Sequence, residues 1–180
     1  MMKMRTFRCR ICGETYLGYE RPTNCPYCGA HAGFLVPGAE WIEEFDIENM
    51  TDVSKKNLEQ TLGFEVSNSA FYLSASAKAK AQNLELEGMF KRLSKIEAEH
   101  ASSVKKFLKL DAVPVVEEEA SDSILENLKA AAAREQRAMD HYRQFAQEAT
   151  EPRLKEFWTE LVAIEGDHFS IDTEEQSNFS

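Results

Sequence analysis

From about Thr51 onward, apolar residues recur at helical spacing, and the pattern predicts four helices. The first runs from about Asp52 to Gln82, with Leu58, Leu62, Glu65, Ser69, Tyr72, Ser76 and Ala79 along one stripe. The second begins near Asn83, a residue suited to an N-cap, and carries Leu86, Met89, Phe90, Leu93, Ile96, Val104, Phe107 and Leu108 to an end near Leu110. Residues 111–120, with Pro114 and an acidic run, read as an extended crossover. The third helix opens at the capping residues Ser121-Asp122-Ser123, with a stripe of Leu125, Leu128, Ala132, Glu135, Met139, Tyr142 and Phe145. The fourth follows Thr150, tolerates Pro152 in its first turn, and carries Leu154, Phe157, Trp158, Leu161, Ile164 and Phe169. It is expected to end near Asp172 and leave a polar, frayed tail from Thr173 to Ser180. Two short connections and one long one describe two helical hairpins joined by a crossover, a four-helix bundle.

The stripes contain residues that do not belong in a dry core. Glu97-x-x-His100 and Glu165-x-x-His168 lie on the apolar faces of the second and fourth helices, each pair one turn apart on one face. Glu65 and Glu135 occupy core positions of the first and third. A buried carboxylate is too costly to keep without a partner, so a cation is expected among them. One Glu from each of two helices plus Glu-x-x-His from each of the others forms a carboxylate-bridged dinuclear metal site. Four carboxylates balance two divalent ions, and neutral imidazoles complete the shell. Oxygen and nitrogen donors without thiolate favour iron or manganese and admit zinc. Tyr72 and Tyr142 each follow their helix's Glu by seven residues, so they share its face. They read either as hydrogen-bond donors to the ligands or as ordinary core tyrosines. Glu87, Glu99, Glu126, Glu148 and Glu160 read as solvated, and His141 as exposed.

Residues 1–38 show no helical period and are rich in Gly, Pro, Cys and aromatic residues. All four cysteines fall here, as Cys9-x-x-Cys12-Gly13 and Cys25-x-x-Cys28-Gly29 with twelve residues between the pairs. Four thiolates so arranged make a tetrahedral all-sulfur site for iron or zinc. His31 is a spare, expected at the surface. Residues 39–50 form a linker held by Trp41, Ile42, Phe45 and Ile47, and the bundle occupies 51–175. The cysteine usage excludes disulfide stapling of the main body and fits a reducing cytoplasm. A formal charge of -10 over 180 residues disfavours nucleic acid as the main partner, and no apolar run has the length of a membrane span. Basic residues near the start are not followed by an apolar stretch, so no secretory signal is expected.

With both sites in view the chain resembles the rubrerythrins. The knuckles, the segment Tyr19-Glu20-Arg21-Pro22 before Cys25, and the stretch from Glu65 to Lys80 with Tyr72 and Ala77-Lys78-Ala79-Lys80 carry the likeness. The resemblance implies a mainly α chain, a ferritin-like four-helix bundle behind a small rubredoxin-like domain. It implies a mononuclear iron at Cys9, Cys12, Cys25 and Cys28, replaceable by zinc in recombinant protein. It also implies a di-iron site, or a mixed iron, zinc and manganese site, at Glu65, Glu97, His100, Glu135, Glu165 and His168. The implied activity is reduction of hydrogen peroxide to water in defence against oxidative stress, with electrons relayed through the tetracysteine centre from an external donor such as rubredoxin or an NAD(P)H-dependent reductase. Catalytic roles would fall on the six bundle ligands with Tyr72 and Tyr142.

The chain departs from the family in two ways. Its rubredoxin-like part is N-terminal, as in the reverse branch. Where many members carry an additional Glu after the third-helix ligand, this chain has Ala138 and Met139. A symmetric six-residue shell is therefore expected, without a redox-linked exchange of ligands. The rival readings are a di-iron oxidase or ferroxidase acting on dioxygen or iron, and a non-enzymatic zinc-knuckle module. A helix of 25 residues is about 38 Å long, which would separate a mid-bundle site from its own knuckles. The expected answer is a homodimer in which one subunit's cysteine domain abuts the other's bundle.

Overall fold

The computed structural model describes residues 3–179. Met1, Met2 and Ser180, included in the terminal assignments above, lie outside the described residues. The N-terminal region is a three-stranded antiparallel sheet in the order β2-β1-β3, with β1 Arg5–Cys9, β2 Thr15–Gly18 and β3 Leu35–Pro37. Both knuckles close on a glycine in the left-handed region: Gly13 (φ 82°) donates its N–H to Cys9 O, and Gly29 (φ 81°) donates to Cys25 O. That conformation is open to glycine at little steric cost, and it turns both cysteines of a pair toward one point.

Four helices follow: α1 Asp52–Ala79, α2 Leu84–Leu108, α3 Ile124–Glu148 and α4 Pro152–Asn178. Thr51, Asn83 and Ser123 cap the first three through side-chain oxygens, and α4 starts on Pro152 without a side-chain cap. α1 packs on α2, α3 packs on α4, and α1 also meets α3, so the two hairpins stand as the connection lengths imply. No helix among the described residues is long and apolar enough to cross a membrane.

Several boundaries and exposures differ from expectation. α1 stops at Ala79, and Gln82 lies in the turn, its amide bonded to Lys78 O. The α3 stripe starts on buried Ile124, leaving Leu125 half-buried. α4 continues six residues past Asp172 to Asn178, so the bundle extends beyond residue 175. Its added turns are held because Asp172 is buried against Tyr72 and Gln176 Nε2 donates to Leu128 O. In the linker Phe45 is buried against Phe107, and Trp41 lies under Arg8, but Ile42 is exposed.

The cysteine region does not stand away from the bundle. One hydrophobic cluster joins Cys9, Ile11, Cys12, Cys28 and Leu35 to Leu58, Val104, Phe107, Trp158 and Ile164. The separation argued from helix length therefore fails: this chain's own knuckles abut its own bundle, and no second copy is needed to bring the two centres together.

Candidate metal centres

The four cysteine side chains are buried and lie within 4.8 Å of one another. Cys9 Sγ is 3.6 Å from Cys28 Sγ, and Cys12 Sγ is 3.8 Å from Cys25 Sγ. A regular tetrahedron with metal–sulfur bonds of about 2.3 Å has edges of about 3.8 Å, so the sulfurs already stand where a bound ion would place them. Ile11 N and Glu14 N point at Cys9 Sγ and Cys12 Sγ, 3.4 and 3.5 Å away, and their N–H groups stabilise charge on sulfur. Without a cation the thiols cannot all ionise: hydrogen bonds among them pull Cys9 and Cys25 below the ordinary thiol range, while Cys12 and Cys28 are pushed above it.

The second centre lies at mid-bundle. Glu65, Glu97, His100, Glu135 and Glu165 have no exposed surface, and His168 is 6% exposed. Two overlapping groups of potential ligands emerge, Glu65, Glu97, His100 and Glu165 on one side and Glu97, Glu135, Glu165 and His168 on the other. Glu97 and Glu165 belong to both, so they are the carboxylates that two ions would share, with Glu65 and His100 left to one position and Glu135 and His168 to the other. The distances agree. Glu97 reaches His100 Nδ1 at 3.6 Å and His168 Nδ1 at 3.1 Å, and Glu165 reaches the same atoms at 3.4 and 2.9 Å. Both Glu97 oxygens, Glu135 Oε2 and Glu165 Oε1 are buried without a hydrogen-bond partner. Orphaned carboxylate oxygens converging on two points fit a pair of divalent cations. The oxygen and nitrogen donors suit iron or manganese, and the all-sulfur set suits iron or zinc.

The tyrosines settle into one of the two roles open to them, but crosswise. Tyr72 donates to Glu135 Oε1 of the other hairpin, and Tyr142 donates to Glu65 Oε1 at 2.5 Å. Each phenol orients the terminal carboxylate opposite its own, tying the hairpins together at the metal level. Ala138 and Met139 are buried, and the shell keeps the expected near two-fold symmetry.

Protonation follows from burial. Desolvation pushes Glu65 and Glu135 well above the carboxylate range. It also acts to raise Glu97 and Glu165, but the hydrogen bonds and charge of His100 and His168 bring both below that range. Burial lowers the imidazoles, and their carboxylate partners more than reverse it. These directions favour protons on Glu65, Glu135, His100 and His168, which leaves the metal-free core without net charge. Metal takes their place, so loading two divalent ions near pH 7 is expected to release about four protons from the bundle. Titration of the chelator-stripped protein with Fe(II) in weak buffer under argon measures this, and release near zero would contradict the assignment. The folded-state values of these four groups lie above the unfolded ones. Metal-free stability should therefore fall as pH rises above 4.5 for the two carboxyls and above 6.5 for the imidazoles. Glu97 and Glu165 act with the opposite sign as pH falls below 4.5.

A contact invisible in the sequence joins the centres. His100 Nε2–H donates to Cys28 O at 2.8 Å. With a proton held on Nε2 by this bond, Nδ1 is the ring nitrogen that faces the carboxylates and would meet a metal. Gly29 also touches the site: a Cβ there would sit 3.3 Å from Ile164 Cγ2 and 4.0 Å from His168 Nε2. Glu160, read as solvated, is buried because it accepts from His31 N and pairs with His31 Nδ1, docking the second knuckle on α4. His31 is accordingly held rather than free, with Asp167 on its other nitrogen. Glu99 is half-buried beside the knuckles, and His141 is half-buried between Phe64 and Phe145. Asp172, expected only as the helix end, lies on the same face as the ligands, as the spacing Leu161, Glu165, His168, Asp172 shows.

Comparison with known proteins agrees with this geometry. The model of the family described as "Rubrerythrin, rubredoxin-like domain" matches residues 7–34, and that described as "Rubrerythrin" matches residues 56–171. Reverse rubrerythrin-1 of Clostridium acetobutylicum is 32% identical over 113 residues, covering 58% of this chain and 62% of that protein. The match thus spans less than two thirds of that relative's length. With a tetracysteine knuckle domain leading into a bundle that gathers four carboxylates and two imidazoles, this chain belongs to the rubrerythrin family.

Proposed function

We propose that the chain reduces hydrogen peroxide to water at the bundle centre, using electrons delivered through its own tetracysteine centre. The observation that carries the proposal is the His100 Nε2–H···Cys28 O hydrogen bond, which links a bundle ligand to a knuckle ligand inside one chain. An iron pair there would supply two one-electron reductants side by side, and a sulfur-bound iron would return electrons singly. The chain's residues do the rest. Glu97 and Glu165 hold the two positions together, and His100 and His168 present Nδ1 inward. Tyr72 and Tyr142 fix the terminal carboxylates and supply O–H groups close to the reacting centre. Apolar Leu62, Phe90, Leu93, Leu128, Leu161 and Ile164 keep bulk water from the core.

On this reading an external donor docks at the cysteine domain, and a homodimer is compatible with the relay without being required by it. A second reading, oxidation of Fe(II) or of the reduced centre by dioxygen, is favoured by the symmetric shell at Ala138 and Met139. Anaerobic stopped-flow mixing of reduced protein with peroxide, against dioxygen in a parallel run, separates them. Faster oxidation by peroxide is expected, and a preference for dioxygen would overturn the peroxidase reading. Cys9→Ser tests the relay: it should still permit one stoichiometric oxidation of a pre-reduced bundle yet lose sustained turnover with the external donor. Sustained turnover at the wild-type rate would contradict it.

A further inference from the structure

Asp172 is a carboxyl that the metal shell does not use. It has no exposed surface, its Oδ2 lies 2.9 Å from Tyr72 Oη, and its Oδ1 is buried with no partner. Tyr72 Oη is at the same time in contact with Glu135 Oε1. Three oxygens in a row, joined by two hydrogen bonds, need two protons. The phenol supplies one, and the other must sit on a carboxyl. Glu135 as a metal ligand is an acceptor only, so the second proton belongs to Asp172.

We propose that Asp172 is the proton donor of a short relay, Asp172 to Tyr72 to Glu135, that feeds the bundle centre. The step balances within the three side chains. Asp172 gives its proton to Tyr72 Oη as the phenol proton passes to Glu135 Oε1, leaving an Asp172 carboxylate, an intact phenol and a protonated Glu135. Peroxide reduction consumes two protons with its two electrons, so a donor at this position has a use. This role rests on the peroxide reading above.

The surroundings support a held proton. Burial pushes Asp172 up to about 7; the Tyr72 hydrogen bond and the charge of His168 on its own helix oppose the rise, and Glu97 on α2 adds to it. From α1 the facing group is Tyr72, and α3 contributes Glu135 beyond that phenol. One turn further along α4, Glu175 and Gln176 are part-exposed, so water reaches within a turn of the carboxyl to restore the proton.

The test is Asp172→Asn. The amide still donates to Tyr72 Oη, so a purely positioning role survives the substitution while proton delivery does not. Metal-loaded wild type should show an infrared carboxylic-acid C=O band that shifts in Tyr72→Phe and is missing in Asp172→Asn. The Asn variant should load both centres, yet its reduced form should be oxidised by hydrogen peroxide at least about tenfold more slowly, with a flattened pH profile. An unchanged rate and pH profile in Asp172→Asn would overturn the relay. Should that variant not fold, the wild-type and Tyr72→Phe infrared bands decide alone, and a wild-type spectrum without a Tyr72-sensitive carboxylic-acid band would overturn it. The infrared result does not depend on peroxide as oxidant, so failure of the relay is distinguishable from failure of the peroxidase reading.

Discussion

Glu97→Ala is expected to abolish peroxide turnover while leaving the tetracysteine centre, and the red ferric colour it would have when iron-loaded, intact. Glu97 spans both metal positions, with one oxygen toward His100 and the other toward His168. Losing it removes a bridge and one negative charge from a core whose four carboxylates balance two divalent ions. Altering a group that only supports a ligand typically costs 10–100-fold, so deleting a shared ligand should cost at least about 100-fold in turnover. Metal content of the bundle should fall from two ions to one or none. The metal-free fold also suffers: the Glu97 carboxylate faces both imidazolium rings with no exposed surface, and breaking such a buried arrangement costs roughly 3–5 kcal/mol. Turnover within a few-fold of wild type, with two ions still bound per bundle, would remove Glu97 from the bridging role.

Arg153→Ala should act differently, by loosening the contact between the centres rather than either centre. Arg153 leaves the first turn of α4, donates to Arg10 O of the first knuckle, pairs with Glu44 at 2.8 Å and Glu156 at 3.3 Å, and lies over Phe107 at 5.6 Å. Arg10 answers from the knuckle side, bonded to the same two glutamates. Removing Arg153 costs Glu44 one of its two arginine partners among the described residues and opens a gap against Phe45 and Phe107. The loss of stability should be about 2 kcal/mol, less than for a fully buried pair because both glutamates keep contact with water. Electron transfer from knuckle to bundle should slow by about tenfold or more, while peroxide still oxidises the pre-reduced bundle at the wild-type rate. Rapid-mixing spectroscopy of the red colour separates the two steps. Equal slowing of both would mean that Arg153 acts on the bundle centre itself.

Much of this is legible in the chain itself. Glu97, His100, Glu165 and His168 announce themselves because helical spacing puts ionisable groups on apolar stripes, and Glu65 and Glu135 do so for the same reason. The knuckles are local motifs, each complete within five residues and closed by its glycine. What was not legible depends on distant segments meeting. Periodicity places Tyr72 on the face of Glu65 but cannot say that its hydroxyl crosses to Glu135 on the opposite hairpin. Glu160 reads as solvated until His31, 129 residues earlier, arrives beside it. The end of α4 carries few apolar residues, and its helix persists because Asp172 and Gln176 find partners on α1 and α3. The docking of knuckles on bundle, which reversed the geometric case for a dimer, rests on backbone atoms such as Cys28 O that no side-chain pattern reveals.

On the proposed reading, electrons pass from the tetracysteine centre to the bundle centre within one chain. The most direct test of this transfer is an anaerobic single-turnover experiment on fully reduced, iron-loaded protein mixed with one equivalent of hydrogen peroxide per chain. Light scattering fixes the oligomeric state across a dilution series down to monomer. The red ferric tetracysteine absorbance should appear after bundle oxidation, with a first-order rate that does not change with dilution. A tetracysteine centre that stays reduced, or a rate that falls as the chains are separated, would contradict it.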